Sequence, residues 1–227
     1  MGSGAKTTFG TKLQYGDAAI PEKFTTVAEV KSLTLPEQTA EAIKATSHDS
    51  TAGEYIPPGI VESGEVPFTA NFINDATDTA VRAKLNAVAA NWQICYPNWG
   101  ARTAEFTAAT VTDLITSAGH LLTTGQPLRV SSSGTLPAGL SADTTYWVAW
   151  VSVDTFTMHP TNADAVAGTN TIDITTTGTG THTLQIGMRL SFAAILDTHG
   201  WGDADAQAPD ALNLSAKLKI SGGITKT

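Results

Sequence analysis

"SHDSTAGEYIPPGIVESGEVPFTANF", Ser47 to Phe72, is the stretch whose reading decides the fold. In its last third Val66, Phe68, Ala70 and Phe72 are apolar, and Glu65, Thr69 and Asn71 alternate with them. That period of two predicts a strand with one buried face. The first two thirds read differently. Gly53, Gly59, Gly64 and the pair Pro57-Pro58 punctuate the segment, yet Tyr55, Ile56, Ile60 and Val61 make it apolar. An irregular loop of about twenty residues is expected, far longer than a hairpin needs, and such loops are functional or disordered. An aromatic beside two isoleucines does not suit disorder.

Upstream, "FTTVAEVKSLTL" and "AEAIKATS" read as strands separated at Pro36-Glu37. Downstream, "NDATDTAVRAKLNAVAANW" changes period. Val81, Leu85, Val88 and Trp92 fall at i, i+4, i+7 and i+11, which predicts one helix face. Asp75 is its expected cap, and Asp78 suits the first turn. "WQICYP", "MRLSFAAILDTHG" and "ALNLSAKLKISGG" predict further strands. In the last, Leu212, Leu214, Ala216, Leu218 and Ile220 share one face, and Asn213, Ser215, Lys217 and Lys219 the other.

Composition shifts in the middle. Residues 105–185 hold one base, Arg129, and six acids, a net of −5 within the chain's −8. This segment is rich in Thr, Ser and Gly, and turn signals such as "SSSGTLPAGL", "NADAVAGTN" and "TTGTGTH" separate short β-rich runs. It predicts an inserted small β domain. The expected organisation is a discontinuous host, 1–104 and 186–227, around a module at 105–185. The expected fold class is all-β with one helix, a β-sandwich or barrel plus the inserted β domain.

Charge and cysteine content narrow the function classes. A chain of 227 residues with only 15% charged residues and an acidic balance is not built to grip phosphates. A single cysteine, Cys95, allows no internal disulfide and reads as a small buried residue. "MGSGAKTTFGTKL" has no signal-peptide core, and no apolar run reaches membrane-spanning length. Synthesis in a cytosol is the expectation, with no membrane partner.

Chemistry is sparse. Ser47, His48 and Asp49 are adjacent, but neighbours on a strand point to opposite faces, against a triad. "DTHGWGDADAQAPD" gathers Asp197, His199, Asp203, Asp205 and Asp210 without a complete calcium-loop pattern, and reads as a solvated turn. His120, His159 and His182 lack metal-ligand spacing. No catalytic residue, metal site or cofactor is expected.

The flanks resemble the major tail tube proteins of long-tailed bacteriophages. The resemblance rests on "FTTVAEVKSLTL", "ATSHDSTAGEYIPPGIVESGEVPFTANF", the helix and "LNLSAKLKISGGIT", in that order over about 120 residues. The middle segment, through "LPAGLSADTTYWV" and "TGTGTHTL", resembles a small β module recurring in phage tail and fibre proteins. The resemblance implies a structural, non-enzymatic virion protein assembled in the host cytoplasm. Six copies would form a ring, and rings would stack around a tape-measure protein into a conduit for DNA ejection. The module would lie outside the tube. The resemblance places the inter-subunit or inter-ring contact on the loop, at Asp49, Tyr55, Ile56, Pro57, Pro58, Gly59, Ile60 and Glu62. Glu65, on the polar face of an inferred inner strand, is the lumen candidate. The alternative is a host-surface or carbohydrate-binding protein that uses Tyr146, Trp147 and Trp150 of the module to stack on sugars.

Overall fold

A computed structural model describes residues 9–57, 59–72, 76–85, 87–201 and 213–227. Six strands come first: β1 (Lys12–Gly16), β2 (Phe24–Thr26), β3 (Val30–Leu33), β4 (Ile43–Lys44), β5 (Tyr55–Ile56) and β6 (Glu65–Asn71). Helix α1 (Ala76–Arg82) precedes β7 (Ala90–Cys95), β8 (Arg102–Ala108), β9 (Ile115–Thr116), β10 (Pro127–Ser132), β11 (Tyr146–Trp150) and β12 (Thr155–His159). Helix α2 (Asn162–Ala167) is followed by β13 (His182–Ile186), β14 (Arg189–Trp201), β15 (Asn213–Ile220) and β16 (Thr225–Lys226). The all-β class expected from the sequence holds. The chain divides into two compact units, one of residues 9–27, 91–191 and 225–227, the other of residues 28–90 and 192–224.

The first unit contains a closed antiparallel barrel, in the order β10-β11-β12-β9-β8-β13. Strands β8 and β13 pair from Arg102↔Ile186 to Phe106↔His182. Closure leaves no long ladder unpaired, which removes the edge hazard of an open sheet. Phe106, Ile115, Leu128, Val130, Val148, Phe156, Met158, Leu184 and Ile186 fill its interior. Helix α2 sits after β12. Thr161 caps it by accepting from Asp164 N, and Gly168 closes it in the left-handed region. The sequence predicts one helix and a turn at "NADAVAGTN"; the structure adds this second helix there. Six helical residues are too few to show a 3.6-residue period, so only the caps carried the signal.

Three barrel histidines are buried, and each uses both ring nitrogens. His120 Nδ1 accepts from Leu122 N at 2.9 Å, and Nε2 faces Ser152 O at 3.1 Å. His159 bridges Thr169 O and Thr157 Oγ1. His182 bridges Thr177 O and Ser132 Oγ. A backbone N–H cannot rotate away, so His120 is held as the Nε2–H tautomer. Burial depresses its pKa below the ordinary 6.5, and the neighbouring Arg102 guanidinium acts the same way. The unfolded chain takes up a proton at this residue below about pH 6.5, and the folded chain resists it. Stability therefore falls as pH drops below that value. Melting scans between neutral and mildly acid pH should show this loss, and His120→Gln should flatten it. An equal acid loss in the variant would refute the assignment.

The same unit carries the ladder β2-β1-β7, with Gln14↔Thr26 and Gln14↔Gln93 in register. A buried polar chain ties this ladder to the barrel. Gln14 Nε2 donates to Gly125 O at 2.6 Å, and Gln93 Nε2 donates to Gln14 Oε1 at 2.6 Å. Asn162 Nδ2 donates to Phe24 O and Gly125 O, while its Oδ1 accepts from Thr26 N at 2.8 Å. Those bonds occupy edge groups of β2. Cys95 is buried, and burial pushes its thiol up to about 12, so it stays neutral. Arg189 is buried as well. Its guanidinium donates to Thr123 Oγ1 at 2.8 Å and Gln126 Oε1 at 2.9 Å, and Nε donates to Thr227 Oγ1 at 3.1 Å.

The second unit is an antiparallel sheet of β14 from Phe192 onward, β15, β6 and β3. Val66, Phe68 and Ala70 on β6, Leu214, Ala216 and Leu218 on β15, and Phe192, Ala194 and Leu196 on β14 are buried. The alternation read from the sequence therefore selects the buried face. Each of the larger side chains contributes roughly 1.5–3 kcal/mol by leaving water. Ile220 ends the pattern half-buried, and Leu212 lies outside the described residues. Helix α1 meets β14: Val81 is buried, Asp78 Oδ1 lies 3.5 Å from His199 Nε2, and the Arg82 guanidinium is 5.0 Å from the Trp201 ring centroid.

Two sequence expectations are corrected. The helix is shorter than its period suggested. It ends at Arg82, Val88 is exposed, and Trp92 is a buried strand residue paired with Tyr15. Strand pairing outweighs a helical coincidence that needed about three turns to persist. The expected cap, Asp75, lies outside the described residues. Likewise "FTTVAEVKSLTL" is not one strand. Glu29 adopts φ 53°, which breaks it into β2 and β3 in different units. Asn71 fixes that break, donating from N to Glu29 O and from Nδ2 to Glu29 Oε2 at 2.8 Å.

Candidate functional site: an apolar arm and an uncovered sheet face

The opening segment is one side of a two-sided arm. Thr39 and Glu62 exchange both backbone bonds at 2.9 Å, and beyond them Ile43↔Ile56 and Lys44↔Tyr55 pair as β4-β5. Ala45 N donates to Glu54 O, and Glu54 N donates to Thr46 Oγ1. The tip turns at Ser47–Ser50, where Ser50 N donates to Ser47 O at 3.1 Å. The sequence reading expected an irregular loop here. It missed that "AEAIKATS" supplies the opposing side, although β-branched and aromatic residues at Ile43, Tyr55 and Ile56 were the signal.

The arm crosses itself tightly at its base. Gly64 has φ 66°, and a Cβ there would lie 2.5 Å from Glu37 O. Ser63 Oγ donates to Gly222 O at 2.7 Å, and Ile220 N donates to Gly64 O. The base is therefore fixed to the end of β15, while the outer part carries its apolar side chains in water. Tyr55 is 63% exposed, Ile56 49% and Ile60 74%, and Ile43 and Val61 of the arm are exposed as well. Asp49 lies exposed in the tip turn, Pro57 and Gly59 are exposed, and Glu62 serves the arm through its backbone. Pro58 is outside the described residues. Exposed large apolar residues gathered in one segment make the arm a candidate interaction surface.

Glu65 starts β6 on the uncovered face of the second unit's sheet. Lys217 Nζ lies 3.2 Å from Glu65 Oε1 and 3.1 Å from Asp197 Oδ2. The hydrogen bonds that Lys217 donates to Asp197 and then to Glu65 raise its pKa. Sequence reasoning selected Glu65 and missed its two partners. Both belong to strands more than a hundred residues away, but the alternation of β15 already put Lys217 on this face.

The aromatic candidates of the barrel lie differently. Tyr146 and Trp147 are buried, and Tyr146 Oη accepts from Ser141 N at 2.8 Å. Neither turns a ring face to solvent; Trp150 is half-buried. Ser47, His48 and Asp49 are all exposed at the arm tip. Asp197 is held by Lys217, and Asp203, Asp205 and Asp210 are outside the described residues. Among the described residues no group of His, Cys, Asp and Glu could hold a metal ion, and no helix is long and apolar enough to cross a membrane.

No family model matches the sequence, and no curated protein matches it. Among solved structures, the chain is similar to one in the cryo-EM structure of the anti-feeding prophage baseplate, 6-fold symmetrised. The TM-score is 0.46 at 8% identity, covering 100% of this chain and 97% of that one. It is also similar to a chain in the virion of a native gene transfer agent particle. There the TM-score is 0.46 at 9% identity, covering 98% of this chain and 99% of that one.

Proposed function

We propose that this chain is a structural subunit of a phage tail tube, assembling with copies of itself into stacked hexameric rings. The observation that carries the reading is the arm: an ordered hairpin holding Tyr55, Ile56 and Ile60 in water. Side chains of that kind on a fixed backbone call for a protein surface to cover them, and in a homo-oligomer that surface belongs to another copy. At about 25 cal/mol per Å², three such side chains contribute on the order of several kcal/mol before ordering costs. The motif order shared with tail tube proteins supports the same reading. The tube would enclose a tape-measure protein and later pass DNA, in a virion tail built in the host cytoplasm, with no enzymatic step. A barrel at 105–185 would face outward. The glycan alternative has less support, because Tyr146 and Trp147 are buried.

Negative-stain microscopy of concentrated protein, with and without preformed seed, tests the proposal. The unmodified chain should form tubes. Tyr55→Ser combined with Ile60→Ser should give a folded subunit that forms none, since both side chains are exposed and the monomer does not depend on them. Normal tubes from that variant would exclude the arm as the assembly contact.

A further inference from the structure

The uncovered sheet face carries a charge arrangement with a consequence for whatever passes over it. Its residues on β6, β14 and β15 include Glu65, Thr69, Ile195, Asp197, Ser215, Lys217 and Lys219. Two of these are carboxylates and two are ammoniums. The placement matters more than the sum. Lys217 stands between both carboxylates, within 3.2 Å of each. Lys219 lies directly opposite Glu65 in the ladder. Elsewhere on the sheet, polar groups also satisfy one another: Ser32 and Thr69 hydroxyls meet at 2.6 Å, and Lys31 Nζ donates to Asn213 Oδ1 at 3.0 Å.

We infer that Lys217 is a masked cation, held by Glu65 and Asp197 so that its ammonium is withheld from a passing duplex DNA. The inference rests on the tail tube reading for the identity of the passing polyanion. Its physics is local. A lysine binds DNA by displacing counterions from phosphates, and each such contact adds to a salt-dependent affinity. An ammonium already flanked by two carboxylates has those partners to lose, and its neighbours repel the incoming phosphate. The raised pKa of Lys217 agrees with the clamp. Glu65 thus acts as the keeper of a neighbouring positive charge as much as a negative charge in its own right.

Two measurements test this, and the first does not require assembly. Brief acylation of the folded protein at neutral pH, read by peptide mass spectrometry, should label Lys217 at least roughly threefold more slowly than Lys219, because its ammonium must first leave two carboxylates. In the double variant Glu65→Gln, Asp197→Asn the two rates should converge. Second, fluorescence anisotropy with a linear DNA duplex should show no binding by the unmodified protein at low salt. The double variant should gain binding that disappears as salt rises, and adding Lys217→Ala should remove the gain. Equal labelling of both lysines in the unmodified protein overturns the inference. So does a double variant that gains no DNA binding, or a gain that survives Lys217→Ala. Failure of the tube reading would show separately, as an absence of tubes with the labelling difference intact.

Discussion

Gly125→Ala is expected to lower the stability of the barrel-containing unit by about 4 kcal/mol, combining the left-handed penalty with displaced packing. Gly125 has φ 91°, and a Cβ on it would lie 1.9 Å from Phe24 O. No side-chain rotation relieves that overlap, because both sides are backbone. Strand β2 would have to retreat, and with it the bond from Phe24 N to Thr124 O. The Gly125 carbonyl also accepts from Gln14 and Asn162. A retreat therefore strains the buried polar chain at its centre. For a chain of this size the melting temperature should drop by about 8–16 °C, measured by calorimetry or circular dichroism. An unchanged melting temperature would show that the ladder β2-β1-β7 is not held to the barrel as described.

Arg189→Ala is the second large effect. The guanidinium is buried and reaches Thr123, Gln126 and Thr227 through well-formed bonds. Burial lowers its pKa, yet an arginine keeps its charge. Removing it leaves Gln126 Oε1 with the long bond from Thr123 N at 3.4 Å, takes a donor from the Thr123 and Thr227 hydroxyls, and opens a void. Unmet buried polar groups and the void together cost about 3 kcal/mol. Arg189→Lys should recover only part of this, because an ammonium cannot reproduce the planar fork across three acceptors. Full recovery by lysine would mean that charge alone, without the fork, suffices.

What could be read in advance follows from the range of each interaction. The alternation of Val66, Phe68 and Ala70, and of Leu214, Ala216 and Leu218, is written locally, and it marks the buried face of both strands. The apolar surplus around Tyr55 and Ile60 was visible as composition. Its form was not, because pairing Ile43 with Ile56 closes a turn region whose own residues give no period. Trp92 misled because a strand residue happened to fall on a helical spacing. The Gln14, Asn162 and Arg189 contacts were out of reach. They join positions 37 to 138 residues apart, and a lone glutamine or asparagine in a sequence does not name its acceptor. Glu65 could be placed on the polar face by pattern, but its clamp with Lys217 and Asp197 needed strand order and register.

The register Arg102↔Ile186 sets the two polypeptide crossings of the barrel side by side. A foreign domain with similarly adjacent ends could be grafted there without stretching the backbone on either side. Geometry at the junction is permissive; chemistry is not. Any cassette replacing the barrel must offer a carbonyl where Gly125 receives Gln14, and oxygens where Thr123 and Gln126 receive Arg189. Exchange at this position is thus limited less by the joint than by a short list of acceptors that the recipient's buried donors demand.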